Sequence, residues 1–167
     1  MANQNLELLI IAAKLLRPVL DELVFVGGCA TGLLVTDEAA AEVRPTFDVD
    51  AIAEITSYLE YTTFGERLHK LGFTEDASEG APICRWRNGE IKLDLMPLDE
   101  HNLGFSNRWY KPAMDAATEL EIEPGLRIRV VYLWVRQKRI PFYRACYGRS
   151  SLWLLMRNCS MTIHVAE

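Results

Sequence analysis

The stretch RPTFDVDAI, residues 44–52, places two carboxylates two residues apart inside an otherwise apolar run. In a β-strand, side chains at positions i and i+2 point to the same face of the sheet. A strand over residues 47–55 therefore sets Asp48 and Asp50 side by side, where they repel each other and each costs free energy to desolvate. Such a pair is either solvated at a strand end, with Arg44 as its partner, or a binding site for a cation.

A double glycine precedes this strand, in VFVGGCATGLL, residues 24–34. We expect an apolar strand over residues 23–26 to end at Gly27 and Gly28, and a helix to begin near Cys29. Glycines remove the side chains that would keep backbone N–H groups away from an anion, and a helix N-terminus favours negative charge. The pattern therefore indicates either a phosphate-binding turn or an ordinary tight turn.

The clearest local pattern is ICRWRNGEIKLDLMP, residues 83–97, in which Asn88 and Gly89 separate two alternating runs. This arrangement predicts a β-hairpin. On its second strand, Asp94 lies on the face opposite to the three aliphatic side chains. A sheet can bring this third carboxylate beside the acidic pair described above. Carboxylate oxygens are ligands that suit Mg²⁺ and Mn²⁺, so the three acids together are a candidate metal site.

Helical patterns flank these strands. An apolar stripe predicts a first helix that begins at Asn3 or Asn5 and ends at about Leu20. Ser57 is expected to cap a second helix that runs to residue 70, with Leu59 in its apolar set.

A second hairpin is predicted where Pro124–Gly125 separates short strands over residues 119–122 and 126–131. Strands and helices mixed in this way predict an α+β fold, with a mixed β-sheet packed on helices.

The composition is that of one globular domain, because half of the 167 residues are hydrophobic and a quarter are charged. No apolar run reaches the ~18 residues of a membrane span, so no membrane partner is expected. The four cysteines show no C-x-x-C spacing, which favours a reducing cytoplasm. Charge is uneven, since residues 1–123 carry a net −12 and residues 124–167 a net +7.

Taken in order, VFVGGCATGLL, RPTFDVDAI and IKLDLMP resemble the motifs of the DNA-polymerase-β-like nucleotidyltransferase superfamily. That superfamily pairs a Gly-Gly or Gly-Ser turn with an Asp-x-Asp strand and a third Asp on a later strand. SEGAPICRWR and LGFSNRWY extend the resemblance to the AbiEii-type toxin nucleotidyltransferases of bacterial toxin–antitoxin systems. The resemblance covers about residues 20–131 and implies a nucleotidyltransferase-like core over residues 1–131.

The resemblance implies a role for each motif residue. Gly27 and Gly28 would approach the nucleotide phosphates. Asp48, Asp50 and Asp94 would be the catalytic residues and would bind Mg²⁺ or Mn²⁺. Asp94 would also act as general base toward the acceptor hydroxyl.

Two neighbouring residues bear on these roles. Arg44 could reach a phosphate from its position before the acidic strand, or could pair with the acids. Cys29 stands where many members of the superfamily carry Ser or Thr, whose hydroxyl can touch a phosphate. The gap between Gly28 and Asp48 is also longer than in the minimal pattern.

The function that the resemblance implies is transfer of a nucleoside monophosphate from an NTP to an acceptor hydroxyl on RNA, protein or a small molecule. The biological role would be that of a toxin, with an antitoxin protein as partner. The alternative is a catalytically impaired nucleotidyltransferase fold that acts only through nucleotide or protein binding.

The resemblance stops before YLWVRQKRIPFYRACYGRSSLWLLMRNCSMTIHVAE, residues 132–167. This basic tail contains one acid, Glu167, and Pro141 follows Lys138 closely enough to break a helix there. The tail is either a divergent C-terminal segment or the product of a reading-frame change. Its exposed aromatic and aliphatic side chains would favour a homodimer.

Overall fold

The computed structural model describes residues 4–34, 45–99, 103–104, 107–108 and 110–131. The predictions made for Arg44 and for the tail over residues 132–167 lie outside the described residues.

The described residues form seven strands and four α-helices around one sheet. In chain order the strands are β1 (Leu23–Val26), β2 (Val49–Ala53), β3 (Thr74–Glu75), β4 (Arg85–Asn88), β5 (Ile91–Pro97), β6 (Thr118–Glu123) and β7 (Leu126–Val130). The helices are α1 (Gln4–Leu15), α2 (Gly27–Leu34), α3 (Tyr58–Lys70) and α4 (Tyr110–Asp115), and a 3₁₀ helix covers Arg17–Glu22. The predicted α+β class is confirmed.

The sheet is mixed and has the strand order β3-β4-β5-β2-β1-β7-β6. β2 lies near its centre and pairs antiparallel with β1 and parallel with β5. β1 pairs parallel with β7. Two antiparallel hairpins, β4–β5 and β6–β7, lie on either side, and β3 pairs antiparallel with β4 at the outer edge.

Alternation along the strands divides the buried side chains between the two faces of the sheet. Phe25, Ala51 and Leu93 pack in one cluster with residues of α1, α2 and α3. Val24, Ile52 and Met96 pack in a second cluster with Tyr110 and Met114 of α4. Helices therefore cover both faces of the sheet. The acidic side chains of β2 and β5 lie on the face that α4 covers.

The first helix is shorter than the sequence predicts. α1 ends at Leu15, and a 3₁₀ helix with Pro18 near its start follows. Proline lacks a backbone N–H and disfavours the helical conformation of the residue before it, so the predicted end at Leu20 is wrong. Asn5 lies inside α1 and is buried. Within the described residues, no helix combines the length and the apolar character needed to cross a membrane.

The second helix is confirmed with its cap. The Ser57 hydroxyl accepts a hydrogen bond from the backbone N–H of Glu60, at 3.2 Å, and α3 begins at the next residue. This bond satisfies one of the N–H groups that a helix start leaves without an intrahelical partner. Leu59 does not belong to the buried face, because 75% of its surface is exposed.

Both hairpins are confirmed, but the first turns one residue later than predicted. Asn88 pairs with Ile91, so its two-residue loop is Gly89–Glu90, with Gly89 at a φ of 56°. This register places Arg85 opposite Asp94.

Candidate functional site

Four residues on neighbouring strands form a row across the sheet. Val26 of β1 pairs with Asp50 of β2, and Asp50 pairs with Asp94 of β5. Asp94 also pairs with Arg85 of β4. Residues that are paired in register point to the same face, so Asp50, Asp94 and Arg85 share the face covered by α4. Asp50 and Asp94 are 3% and 0% exposed.

Asp48 lies just before β2, and its carboxylate contacts the same Arg85 guanidinium that contacts Asp94. Its side chain is 24% exposed, which makes it the most accessible of the three acids. We call Asp48, Asp50 and Asp94 the acidic cluster. The structure thus brings together the three carboxylates that the sequence singles out.

Arg85 joins two members of the acidic cluster. Its Nε donates to Asp94 Oδ1 at 2.7 Å and its Nη2 donates to Asp94 Oδ2 at 2.8 Å. The same Nη2 donates to Asp48 Oδ2 at 2.8 Å. Paired hydrogen bonds between a guanidinium and a carboxylate are among the strongest that side chains make. The formal charge of the three ionised acids and Arg85 together is −2.

Crowding of these carboxylates affects the protonation of Asp48. Burial and the charge of Asp94 raise the pKa of the Asp48 carboxyl above its usual value, although Arg85 and Lys92 act in the opposite direction. The fold therefore holds Asp48 where its ionised form is less stable than in water. A nearby cation would stabilise the ionised form of this carboxyl group.

Each of the two glycines allows a close packing contact within the chain. Gly27 has a φ of 73°, and a Cβ placed there would overlap the carboxylate of Asp50. A Cβ on Gly28 would overlap Cγ2 of Thr46. The double glycine therefore lets the start of α2 lie directly against the acidic strand and the segment before it. The predicted contact of both glycines with nucleotide phosphates stays a prediction.

Cys29 anchors the segment that leads to Asp48. Its thiol donates to the backbone carbonyl of Asp48 at 3.1 Å, and its sulfur lies 3.0 Å from the Thr46 hydroxyl. From the other side, the side-chain oxygen of Asn5 accepts a hydrogen bond from the Thr46 N–H at 2.9 Å. Burial raises the pKa of the Cys29 thiol to about 12. Cys29 is therefore a protonated hydrogen-bond donor near neutral pH, and it positions Asp48.

The acidic cluster has the donor chemistry of a magnesium site. Its ligands are hard carboxylate oxygens, a divalent cation would match its formal charge of −2 with Arg85, and the Arg85 guanidinium stands in as a cation between Asp48 and Asp94. Within the described ranges, no three His, Cys, Asp or Glu side chains are arranged so that they could hold a metal ion together. The acidic cluster therefore offers suitable donor atoms, but with Arg85 ion-paired to Asp48 and Asp94 its side chains are not arranged as a metal site.

Arg85 is the residue of the site that the sequence analysis missed. A loop at Gly89–Glu90 sets Arg85 opposite Asp94, whereas a turn centred on Asn88–Gly89 sets it opposite Lys92. Charge does not select between the two turns, because the observed register in turn sets Arg87 opposite Lys92.

A cavity of about 280 Å³ lies at the opposite end of β2, lined in part by Glu22, Ala53 and Arg129. Asp48 lies just before β2, Asp50 is its second residue and Ala53 is its last. The cavity is therefore separate from the acidic cluster.

No protein-family model matches the chain, and no curated protein matches it.

Proposed function

We propose that this chain is a metal-dependent nucleotidyltransferase, which transfers a nucleoside monophosphate from an NTP to an acceptor hydroxyl. The observation that carries the proposal is the register of Asp50 with Asp94, with Asp48 and Gly27 beside Asp50. The three motifs that resemble the nucleotidyltransferase superfamily are distant in sequence, and they meet at one place on the sheet. Convergence of this kind is what a shared catalytic site requires.

In this proposal Asp48, Asp50 and Asp94 are the residues that would hold Mg²⁺ or Mn²⁺, after a rearrangement that brings them together as ligands. The ion would supply positive charge at the acceptor oxygen, the triphosphate and the leaving pyrophosphate. The protein residues supply the fixed geometry, because Asp50 and Asp94 are buried in the sheet and the segment before Asp48 is held by Cys29. Gly27 lies against Asp50 and Gly28 lies against Thr46. Both glycines are the proposed neighbours of the nucleotide phosphates.

The reaction forms a bond between the acceptor oxygen and the α-phosphorus and breaks the bond from the α-phosphorus to the oxygen that bridges to the β-phosphate. Pyrophosphate leaves with the bonding electrons, and the proton of the acceptor hydroxyl passes to a base. Asp94 is the base that the family resemblance implies. Both of its oxygens accept hydrogen bonds from Arg85, and taking a proton would weaken these bonds because it removes the charge of the carboxylate.

The biological role that we propose by the same resemblance is that of an AbiEii-type toxin in the bacterial cytoplasm, controlled by an antitoxin protein. Expression of the chain from a tight promoter should then slow growth of the host. Expression of Asp48→Asn at the same level should not. Equal growth of hosts that express the parent and hosts that express Asp48→Asn would contradict the toxin role. The enzymatic proposal would stay open.

A second candidate function is a nucleotidyltransferase fold that binds a nucleotide or a protein without catalysis. The observation that favours it is the ion pairing of Arg85 with Asp48 and Asp94, because an arginine gives the cluster a counter-ion that is part of the chain. In that case nucleotide would bind without a requirement for divalent metal.

Thermal unfolding with each NTP, in Mg²⁺ and in EDTA, tests both candidates. A ligand that binds only the folded state raises the melting temperature. Nucleotidyl transfer requires a rise that needs metal and NTP together and that Asp48→Asn abolishes. Asp21→Asn is the matched control, because Asp21 is an exposed acid that lines the cavity beyond the other end of β2. A rise that persists in EDTA would favour binding alone, and no rise with any NTP would overturn the enzymatic proposal.

A further inference from the structure

We propose that Arg87 and Lys92 form a binding site for phosphate groups, and that its ligand is the triphosphate of a nucleotide. The identity of the ligand as an NTP rests on the proposed function, whereas the site itself rests on the arrangement of these two cations. The resemblance to the nucleotidyltransferases assigns a role to neither residue.

The two residues are cross-strand neighbours near the turn of the β4–β5 hairpin. Arg87 pairs with Lys92 on one side and with Thr74 of β3 on the other. Register partners point to the same face of a sheet, so a hydroxyl, a guanidinium and an ammonium lie in one row. Each of these groups can donate a hydrogen bond to a phosphate oxygen.

The pairing of Arg87 with Lys92 is unfavourable by itself, because like charges directly opposite on neighbouring strands are destabilising. Both side chains are half-buried, so their repulsion is screened less than that of exposed charges. Within the part of the chain that the structure describes, neither side chain forms an ion pair or a hydrogen bond. An anion bound between the two cations would remove the repulsion.

Two acids lie near enough to act on these cations. The charge of Lys92 acts on Asp48. The charge of Arg87 acts on Asp76. Both carboxylates take their side-chain hydrogen bonds from other residues, so neither is the counter-ion of the pair.

The position of the pair connects it with the acidic cluster. Lys92 and Asp94 are two residues apart on β5, which is a distance of about 7 Å along one face. Asp48 directly precedes the β2 residue that pairs with Leu93, the neighbour of Lys92. β1 ends opposite the second residue of β2, so the double glycine lies at the same end of the sheet. A phosphate chain bound by Arg87 and Lys92 would therefore lie beside the proposed catalytic residues.

Binding of inorganic tripolyphosphate to the full chain tests the site, by isothermal titration calorimetry in buffer without divalent metal. Tripolyphosphate carries the phosphate chemistry that all NTPs share. We expect Arg87→Gln and Lys92→Gln each to bind it about tenfold more weakly than the parent, as loss of one charge-assisted contact predicts. Arg127→Gln is the matched control, because Arg127 is an exposed arginine on β7 that pairs with Glu119. It should leave the affinity within about twofold of the parent.

Two outcomes of this titration would overturn the inference. One is that the parent does not bind tripolyphosphate. The other is that the two glutamine variants bind it as tightly as the parent does.

Thermal unfolding without ligand separates a binding role from a structural one. Removal of either cation relieves the like-charge repulsion, so Arg87→Gln and Lys92→Met should melt at or above the temperature of the parent. Lys92→Met is used because it keeps the apolar part of the lysine side chain. Melting of both variants well below the parent, or failure of both to fold, would show that the cations are structural and would contradict the inference.

Failure of the proposed function would look different. No NTP would then raise the melting temperature of the parent in the presence of metal, while tripolyphosphate would still bind and would still depend on Arg87 and Lys92. That result would support the phosphate site and exclude the nucleotide as its ligand.

Discussion

Asp50 and Asp94 face each other as register partners on two parallel strands, and both side chains are buried beneath the same face of the sheet. Like charges at this separation are destabilising unless a cation or a proton compensates them. Arg85 supplies one compensating charge through Asp94. The charge of the acidic cluster that Arg85 does not compensate should affect the stability of the protein and its dependence on pH.

The stability of the protein should depend on pH through Asp48. The pKa of its carboxyl is raised in the folded state, so the folded protein holds the proton more tightly than the unfolded chain does. The contribution of Asp48 to the free energy of unfolding should therefore fall as pH rises from about 3.8 through the higher folded-state pKa. In Asp48→Asn this decline should be absent. Denaturant unfolding of both proteins from pH 3 to pH 7, without divalent metal, measures the difference.

Asp76→Asn is a control of opposite sign for this pH dependence. Hydrogen bonds from Ser78 lower the pKa of the Asp76 carboxyl below 3.8. Its contribution to stability is present above that pH and is lost as pH falls through the folded-state pKa. Parallel pH profiles for the two variants would contradict both assignments.

Asp94→Asn should destabilise the protein by about 3 kcal/mol, because it breaks a buried ion pair and leaves Arg85 without its main partner. Asp115→Asn removes an exposed ion pair with Lys111 on α4 and should change the free energy of unfolding little. Urea unfolding at pH 7 compares the two variants. Losses of equal size would mean that burial of the Arg85–Asp94 pair has no energetic consequence.

Gly27→Ala should be far more damaging than Gly125→Ala, although both glycines have a φ of 73°. The positive φ costs about 1 kcal/mol for alanine at either position. At Gly27 the new Cβ also overlaps the Asp50 carboxylate, whereas at Gly125 it meets no described atom within 4 Å. We therefore expect Gly27→Ala to lose about 3 kcal/mol or more, because a buried carboxylate has to move. Combining it with Asp50→Ala should recover part of that loss, which a double-mutant cycle of unfolding free energies would measure.

Cys29 should resist thiol reagents while the protein is folded. Burial limits access to the sulfur, and a pKa of about 12 leaves almost no thiolate near neutral pH. Peptide mapping by mass spectrometry after a brief reaction with iodoacetamide should find Cys29 unmodified in buffer and modified in denaturant. Rapid modification in buffer would show that the hydrogen bonds to Thr46 and Asp48 open readily.

The sequence predicts the strongest local features correctly. β1 is found at the four apolar residues before the double glycine, and the Ser57 cap fixes the start of α3. Both hairpins follow from turn residues whose conformation glycine favours. The three acids could be grouped because Asp50 and Asp94 lie on strands and Asp48 stands two residues before Asp50.

Other features depend on information that the local sequence does not carry. The prediction that α1 extends to Leu20 followed the apolar stripe and gave too little weight to Pro18. Leu59 fits the helical stripe but lies in the first turn of α3, where it is exposed. The role of Arg85 depends on a hairpin register that differs by one position in the turn, and such a shift changes every cross-strand neighbour.

The position of β7 beside β1 has a consequence for synthesis of the chain on the ribosome. β1 is complete at residue 26, but its parallel neighbour β7 ends only at Val130. Until β7 has been translated, a nascent chain that has already formed the β1–β2 pair exposes the other edge of β1, with its unpaired N–H and carbonyl groups. Such an edge can pair with other chains, so this nascent species is prone to aggregation. The interval between translation of β2 and of β7 is therefore a period in which a chaperone would benefit this protein.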